Sequence, residues 1–208
     1  MSAALTALAP TPGRHDSGPD LEARILDTAL DLVARWGVAK TSVADVAKTA
    51  GCGRATLYRA FPGGKREVFA ALGRREIGRY LRSVTDEIDA AVDLPGALGA
   101  AVVAATRELR GHEGFQFLLQ HEPGLLLPYL GFGQVDRLYA AVATDVGPHL
   151  ERFLPAPRAA WAAEWMARLL ITFVFSPTEQ TDLADPHQAA LLVSRYLVPA
   201  FTPVPHPA

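Results

Sequence analysis

The 208-residue chain is half apolar and one-fifth charged, which is long and apolar enough for a hydrophobic core and excludes a disordered or fibrous protein. Its one cysteine, Cys52, excludes an intramolecular disulfide and a cysteine-cluster metal site, and a chain of this size without cross-links suits a reducing, cytoplasmic setting. The net charge of −2 hides an asymmetry: residues 20–82 carry 12 Lys or Arg against 7 Asp or Glu, while residues 83–208 carry 7 against 14. The first part can approach phosphates and the second is repelled by them.

Residues 1–19, rich in Pro, Gly and Ala, read as a flexible arm, without the basic start and unbroken apolar run of a secretory signal. The longest compact apolar run, Leu169 to Phe175, is far short of the roughly 20 residues that cross a bilayer, so no membrane partner is expected. From Asp20 onward apolar residues recur at three- and four-residue spacing, which predicts an all-α chain. A first helix runs from Asp20 to Trp36, with Leu21, Ile25, Ala29, Leu32, Val33 and Trp36 on one stripe and Gly37 as its stop. A short second helix follows Ser42, with Asp45 completing a variant capping box, and ends at Ala50 before Gly51. A third spans Arg54 to Ala60, and Phe61-Pro62-Gly63-Gly64 separates it from a long fourth helix, Lys65 to Ala91. Further helices are expected at 95–111, 113–121, 131–153 with a break at Gly147-Pro148, 158–175 and 186–200, followed by a loose Pro-rich tail, 202–208.

Two short helices separated by Gly51-Cys52-Gly53 have the dimensions of a helix-turn-helix, whose second helix enters the major groove. Ala47 and Gly51 permit a close crossing, and Val43, Val46, Leu57 and Phe61 supply the buried side. That leaves Arg54, Ala55, Thr56, Tyr58 and Arg59 on the N-terminal and outer faces of the third helix. Arg54 and Arg59 suit guanine edges or phosphates, Thr56 a base or phosphate, and Tyr58 a phosphate oxygen. Lys65 opens the fourth helix, where backbone N–H groups already favour an anion.

Over residues 20–70 the order Thr41-Ser42, Val46-Ala47, Ala50-Gly51-Cys52-Gly53, Thr56-Leu57-Tyr58, Phe61 and Lys65 resembles the TetR family of bacterial transcriptional regulators. The resemblance implies that Thr41 or Ser42, Thr56, Tyr58 and Lys65 contact phosphates while the exposed part of the third helix reads bases. Gly53 replaces the family's usual Ser and removes a side-chain N-cap, and Ala55 replaces a common Gly. The resemblance further implies a ligand-responsive regulator, a repressor by default, that binds a palindromic operator as a homodimer. It divides the chain into a DNA-binding domain at 20–65 and an effector-binding and dimerisation domain at 66–201.

The second half carries features that suit those roles. The penultimate helix is apolar on most sides, from Trp161, Trp165, Leu169 and Phe173 round to Ala163, Met166, Leu170 and Val174. With the last helix, Ala189 to Leu197, it can build a four-helix interface between two copies. The stretch from Phe115 to Phe132 mixes aromatic and aliphatic residues with Gln116, Gln120 and His121, which suits a mostly apolar small molecule. Phe117, Gln120, His121, Tyr129 and Trp165 are the expected effector contacts.

Other constellations carry less. His112-Glu113 and His121-Glu122 lack the spacing that places two imidazoles on one helical face, so no metal is expected. Gly51-Cys52-Gly53 and Gly63-Gly64-Lys65-Arg66 miss residues that nucleotide-binding loops require, and no cofactor is expected. No nucleophile-base pattern supports the rival reading of a small helical enzyme with His112, Glu113, His121 and Glu122 as its acid-base residues, and no catalytic residue is assigned. Cys52 reads as a small packed hydrophobe rather than a redox sensor.

Overall fold

The computed structural model describes residues 18–126 and 135–201. Most of the N-terminal arm, the C-terminal tail and Tyr129 lie outside them. Every regular element among the described residues is helical. In chain order these are α1 (Gly18–Lys40), α2 (Val43–Thr49), α3 (Arg54–Ala60), α4 (Lys65–Ala90), α5 (Leu94–Gly111) and α6 (Glu113–His121). A 3-10 turn (Pro123–Leu125) follows, then α7 (Val135–Leu150), α8 (Ala156–Phe175) and α9 (Pro186–Leu192). The last helix continues through a π-helical turn (Val193–Leu197) into α10 (Val198–Phe201).

Two cores organise these helices. The first gathers Ile25, Leu26, Ala29 and Leu32 of α1, Val46 and Ala47 of α2, Leu57 of α3, Phe61, and Val68 and Leu72 of α4. The stripe expected on α1 is therefore the packed one up to Val33, but Trp36, in the last turn before Gly37, is half exposed. Arg24 ties α1 to the end of α2 by donating to the Ala50 carbonyl (2.9 Å), a cation where helix carbonyls are unsatisfied. The second core joins Val84 and Ile88 of α4 to Leu98, Ala101 and Val102 of α5, Val146 and Leu150 of α7, Ala159, Ala162, Ala163 and Met166 of α8, and Val193 and Phe201. The helix α4 thus begins in one core and ends in the other, and the first core reaches past Lys65 to Leu72.

The expected break at Gly147-Pro148 does not occur, since α7 runs through both residues to Leu150. A Cβ on Gly147 would lie 3.1 Å from the Ala160 Cα, so glycine serves the close approach of α7 to α8 rather than a turn. Pro148 falls in the last turn, where its missing N–H costs one helical hydrogen bond and the helix ends two residues later.

Candidate nucleic-acid interface

The α2–turn–α3 unit forms for local reasons that the residues state plainly. Ser42 caps α2, its hydroxyl accepting from the Asp45 N–H (3.2 Å) while the Asp45 carboxylate accepts from the Ser42 N–H (3.1 Å). The Ser42 hydroxyl, donating to the Asp45 carboxylate, and then the Ser42 N–H hold the Asp45 carboxyl below its ordinary range. At the other end Gly51 adopts φ +66°, and the Cys52 and Gly51 amides donate back to Ala47 and Lys48. That paired closure fixes the turn that aims α3. The α3 N-cap is Gly53, which offers no side-chain acceptor, so α3 depends on Leu57 and Phe61 packing beneath it. Cys52 packs at the edge of this core, and burial pushes its thiol up from the ordinary value, which disfavours the reactive thiolate.

With Leu57 fully buried, Arg54, Ala55, Tyr58 and Arg59 are exposed and Thr56 is partly so. Neither Arg54 nor Arg59 forms an ion pair among the described residues, leaving both guanidinium groups for an outside partner. The Tyr58 ring lies against Gly64 at the start of α4, where a Cβ would come within 3.0 Å of its Cε1. Lys65 stands beside it, donating to the Ala39 carbonyl (3.2 Å). Tyr58, Arg59 and the opening of α4 therefore share one region. Thr41 departs from expectation: it is fully buried and its hydroxyl donates to the Gly37 carbonyl (2.7 Å), so its role here is to close the turn after α1. Ser42 stays exposed, with its hydroxyl engaged in the capping box.

Beneath this unit, α1, α4, α5, α6, α7 and α8 surround a cavity of about 790 Å³. Its lining is predominantly apolar and includes Leu30, Leu81, Phe115, Leu118, Met166 and Leu170, with Tyr80 and Glu108 among the few polar groups. The Tyr80 phenol makes no hydrogen bond among the described residues. Burial, then the Glu108 carboxylate, raises its pKa and keeps it a neutral donor. Among the described residues, none of the expected contacts Phe117, Gln120, His121 and Trp165 lines this space. Phe117 stacks on His121 (centroids 4.4 Å apart) on the face of α6 that meets α1, and Trp165 sits on the outer face of α8. Of the described residues in the apolar stretch beginning at Phe115, Phe115, Leu118 and Leu126 line the cavity. Tyr80 and Glu108 stand among charged neighbours in α4 and α5, a pattern that reads as a solvated face, and only the packing of α4 on α5 brings both to one wall. Among the described residues no cluster of His, Cys, Asp and Glu is placed to hold a metal, and no helix is long and apolar enough to cross a membrane.

Comparison with known proteins agrees with this layout. The family model for bacterial regulatory proteins of the tetR family matches residues 25–72, which span α1 to the first part of α4. An uncharacterised HTH-type transcriptional regulator of Mycobacterium tuberculosis is 27% identical over 186 residues, 86% of this chain and 85% of the relative. Among solved structures, the TetR family repressor AlkX from a Dietzia strain, implicated in biodegradation of n-alkanes, superposes with TM-score 0.61 at 23% identity, covering 86% of this chain and 94% of that one. The multidrug binding protein EbrR gives 0.59 at 22% identity, covering 88% and 96%. FadR from Bacillus subtilis, solved with stearoyl-CoA, gives 0.55 at 16% identity, covering 82% and 96%. The capped helix-turn-helix on an all-α body defines a DNA-binding transcriptional regulator. Residues 25–72 match the DNA-binding domain of bacterial regulatory proteins of the tetR family, and over most of its length the chain is similar to an HTH-type transcriptional regulator and shares the fold of TetR-family proteins.

Proposed function

We propose that this regulator is a repressor that binds a palindromic operator as a homodimer and is released when a small, mostly apolar effector fills the cavity. The observation that carries this reading is the cavity itself, about 790 Å³ and walled both by α1 and α4 of the first core and by α7 and α8 of the second. A ligand there touches the DNA-binding unit and the helical body at once, so it can favour one arrangement over another by its differential affinity. Residues 20–65 then read DNA and residues 66–201 bind effector and dimerise, in the cytoplasm. Arg54, Ala55, Thr56 and Arg59 face base edges, while Ser42, Tyr58 and Lys65 hold phosphates. The effector contacts move from the five residues named on sequence grounds to the cavity lining, with Tyr80 and Glu108 fixing its polar end. Apolar ligands are consistent with neighbours whose names mention n-alkanes or stearoyl-CoA.

The homodimer reading draws on exposed large apolar residues at the end of the molecule away from α3. Trp161 and Trp165 of α8 and Leu191 and Tyr196 of the last helix are each between 44% and 66% exposed, more than a lone soluble subunit commonly leaves on two adjacent helices. Pairing those helices with their copies would cover them.

The phosphate roles are tested on operator DNA over a range of salt. Lys65→Ala should weaken binding at all sequences and reduce the slope of log affinity against log salt by about 1, and Tyr58→Phe should weaken binding by about tenfold with the slope unchanged. Wild-type affinity and slope in both variants would remove these two residues from the interface.

A further inference from the structure

We propose that Glu122 is the positioning residue that carries occupancy of the cavity to the DNA-binding unit; the inference rests on the effector reading above. Glu122 ends α6, and its carboxylate accepts from two consecutive backbone amides of α1, Val38 (Oε2, 2.8 Å) and Ala39 (Oε1, 3.0 Å). Those amides follow Gly37, where φ +80° and ψ 171° interrupt the helix. The same short segment is held from its other side by Lys65, which donates to the Ala39 carbonyl. Three residues beyond Ala39 lies Ser42, the cap of α2. A shift of Glu122 is therefore a shift of the peptide that leads into the helix-turn-helix.

The same helix, α6, also borders the cavity. Phe115 and Leu118, one turn apart, line it, while Phe117 packs against Gly37 and Gly114 against Leu30 of α1. Both ends of α6 are thereby pinned to α1, the first through Gly114 and the last through Phe117 and Glu122. A ligand that displaces Phe115 and Leu118 has to move α6, and the two charge-assisted hydrogen bonds are its directional attachment to the turn before α2. Apolar contacts at Phe117 can slide, whereas a carboxylate spanning two amides keeps its register only by moving the backbone with it.

The test uses the full chain, Glu122→Ala and Glu122→Gln, with 1-anilinonaphthalene-8-sulfonate as the cavity probe and an operator selected from host DNA. Both variants should raise hydrogen exchange of the Val38 and Ala39 amides by about tenfold or more and leave Leu98 and Val102 of α5 unchanged, because glutamine keeps one acceptor oxygen and turns an NH₂ toward the second amide. In the wild type, probe binding should speed exchange at those two amides and shift operator affinity by about fivefold or more. In Glu122→Ala the probe should bind as before, and the ratio of operator affinities with and without it should fall close to one. A Glu122→Ala protein that keeps the wild-type ratio, or wild-type amides indifferent to bound probe, overturns the assignment. If the probe fails to enter or to act on the wild type, the effector reading fails instead. Glu122 is then judged on operator affinity without probe: a shift of about fivefold or more at unchanged melting temperature supports a positioning role, and wild-type affinity overturns it.

Discussion

Leu57→Ala should abolish operator binding by dissolving the recognition helix rather than by removing a contact to DNA. Leu57 has no exposed surface and is the buried residue of a seven-residue helix that starts on a glycine with no side-chain cap. A helix that short has little stability of its own and is held by tertiary packing. Truncating a fully buried leucine costs about 2–5 kcal/mol, and the core it leaves is small, built around α1, α2 and the start of α4. The expected result is a lowered first melting transition and loss of DNA binding together. Tyr58→Phe, on the exposed face of the same helix, should lose affinity without changing the melt. A Leu57→Ala protein that melts like the wild type would show that α3 is supported by something other than this core.

Gly37→Ala should be the most damaging single-atom-group addition at the junction of the two units. The backbone there has φ +80° and ψ 171°, a region open essentially to glycine alone, and forcing alanine into it costs about 1–3 kcal/mol. A Cβ would also lie 2.7 Å from both the Glu122 carboxyl carbon and the Phe117 ring, which adds an overpacking cost of about 1–3 kcal/mol. Calorimetry should therefore report a loss greater than that of Glu122→Ala. The double variant Gly37→Ala/Glu122→Ala should be less destabilised than the sum of the singles, because removing the carboxylate relieves half of the clash. Strict additivity would mean that α6 is not seated on this turn.

Much of the interface was legible in the residues because its determinants are local. Ser42 and Asp45 sit at capping spacing, Gly51 marks a left-handed turn, and Leu57 and Phe61 are placed on the inner side of α3; none of these needs a distant partner to be recognised. The less legible features all depend on what a residue meets across space. Thr41 and Ser42 are adjacent hydroxyls in sequence, and only the Gly37 kink decides that the first is buried against a carbonyl and the second exposed. Gly147-Pro148 has the composition of a turn, yet the glycine answers to Ala160 on another helix. The periodicity of α6 separates Phe115 and Leu118 from Phe117 and His121, but not which pair faces the cavity and which faces α1. Glu122 has the same limitation: a lone acidic residue after a helix gives no sign that two backbone amides 83 and 84 positions earlier donate to it.

The central claim is tested most directly by offering the purified full-length protein fragmented host genomic DNA, sequencing what it retains and measuring affinity for the recovered fragments against random DNA. The account predicts an inverted repeat with half-sites about one helical turn apart, roughly 34–36 Å, bound at least about a thousandfold more tightly than random sequence. Retention of single half-sites would contradict the homodimer. Recovery of no preferred sequence from cavity-empty protein, at any salt that permits binding, would contradict the operator-binding repressor altogether.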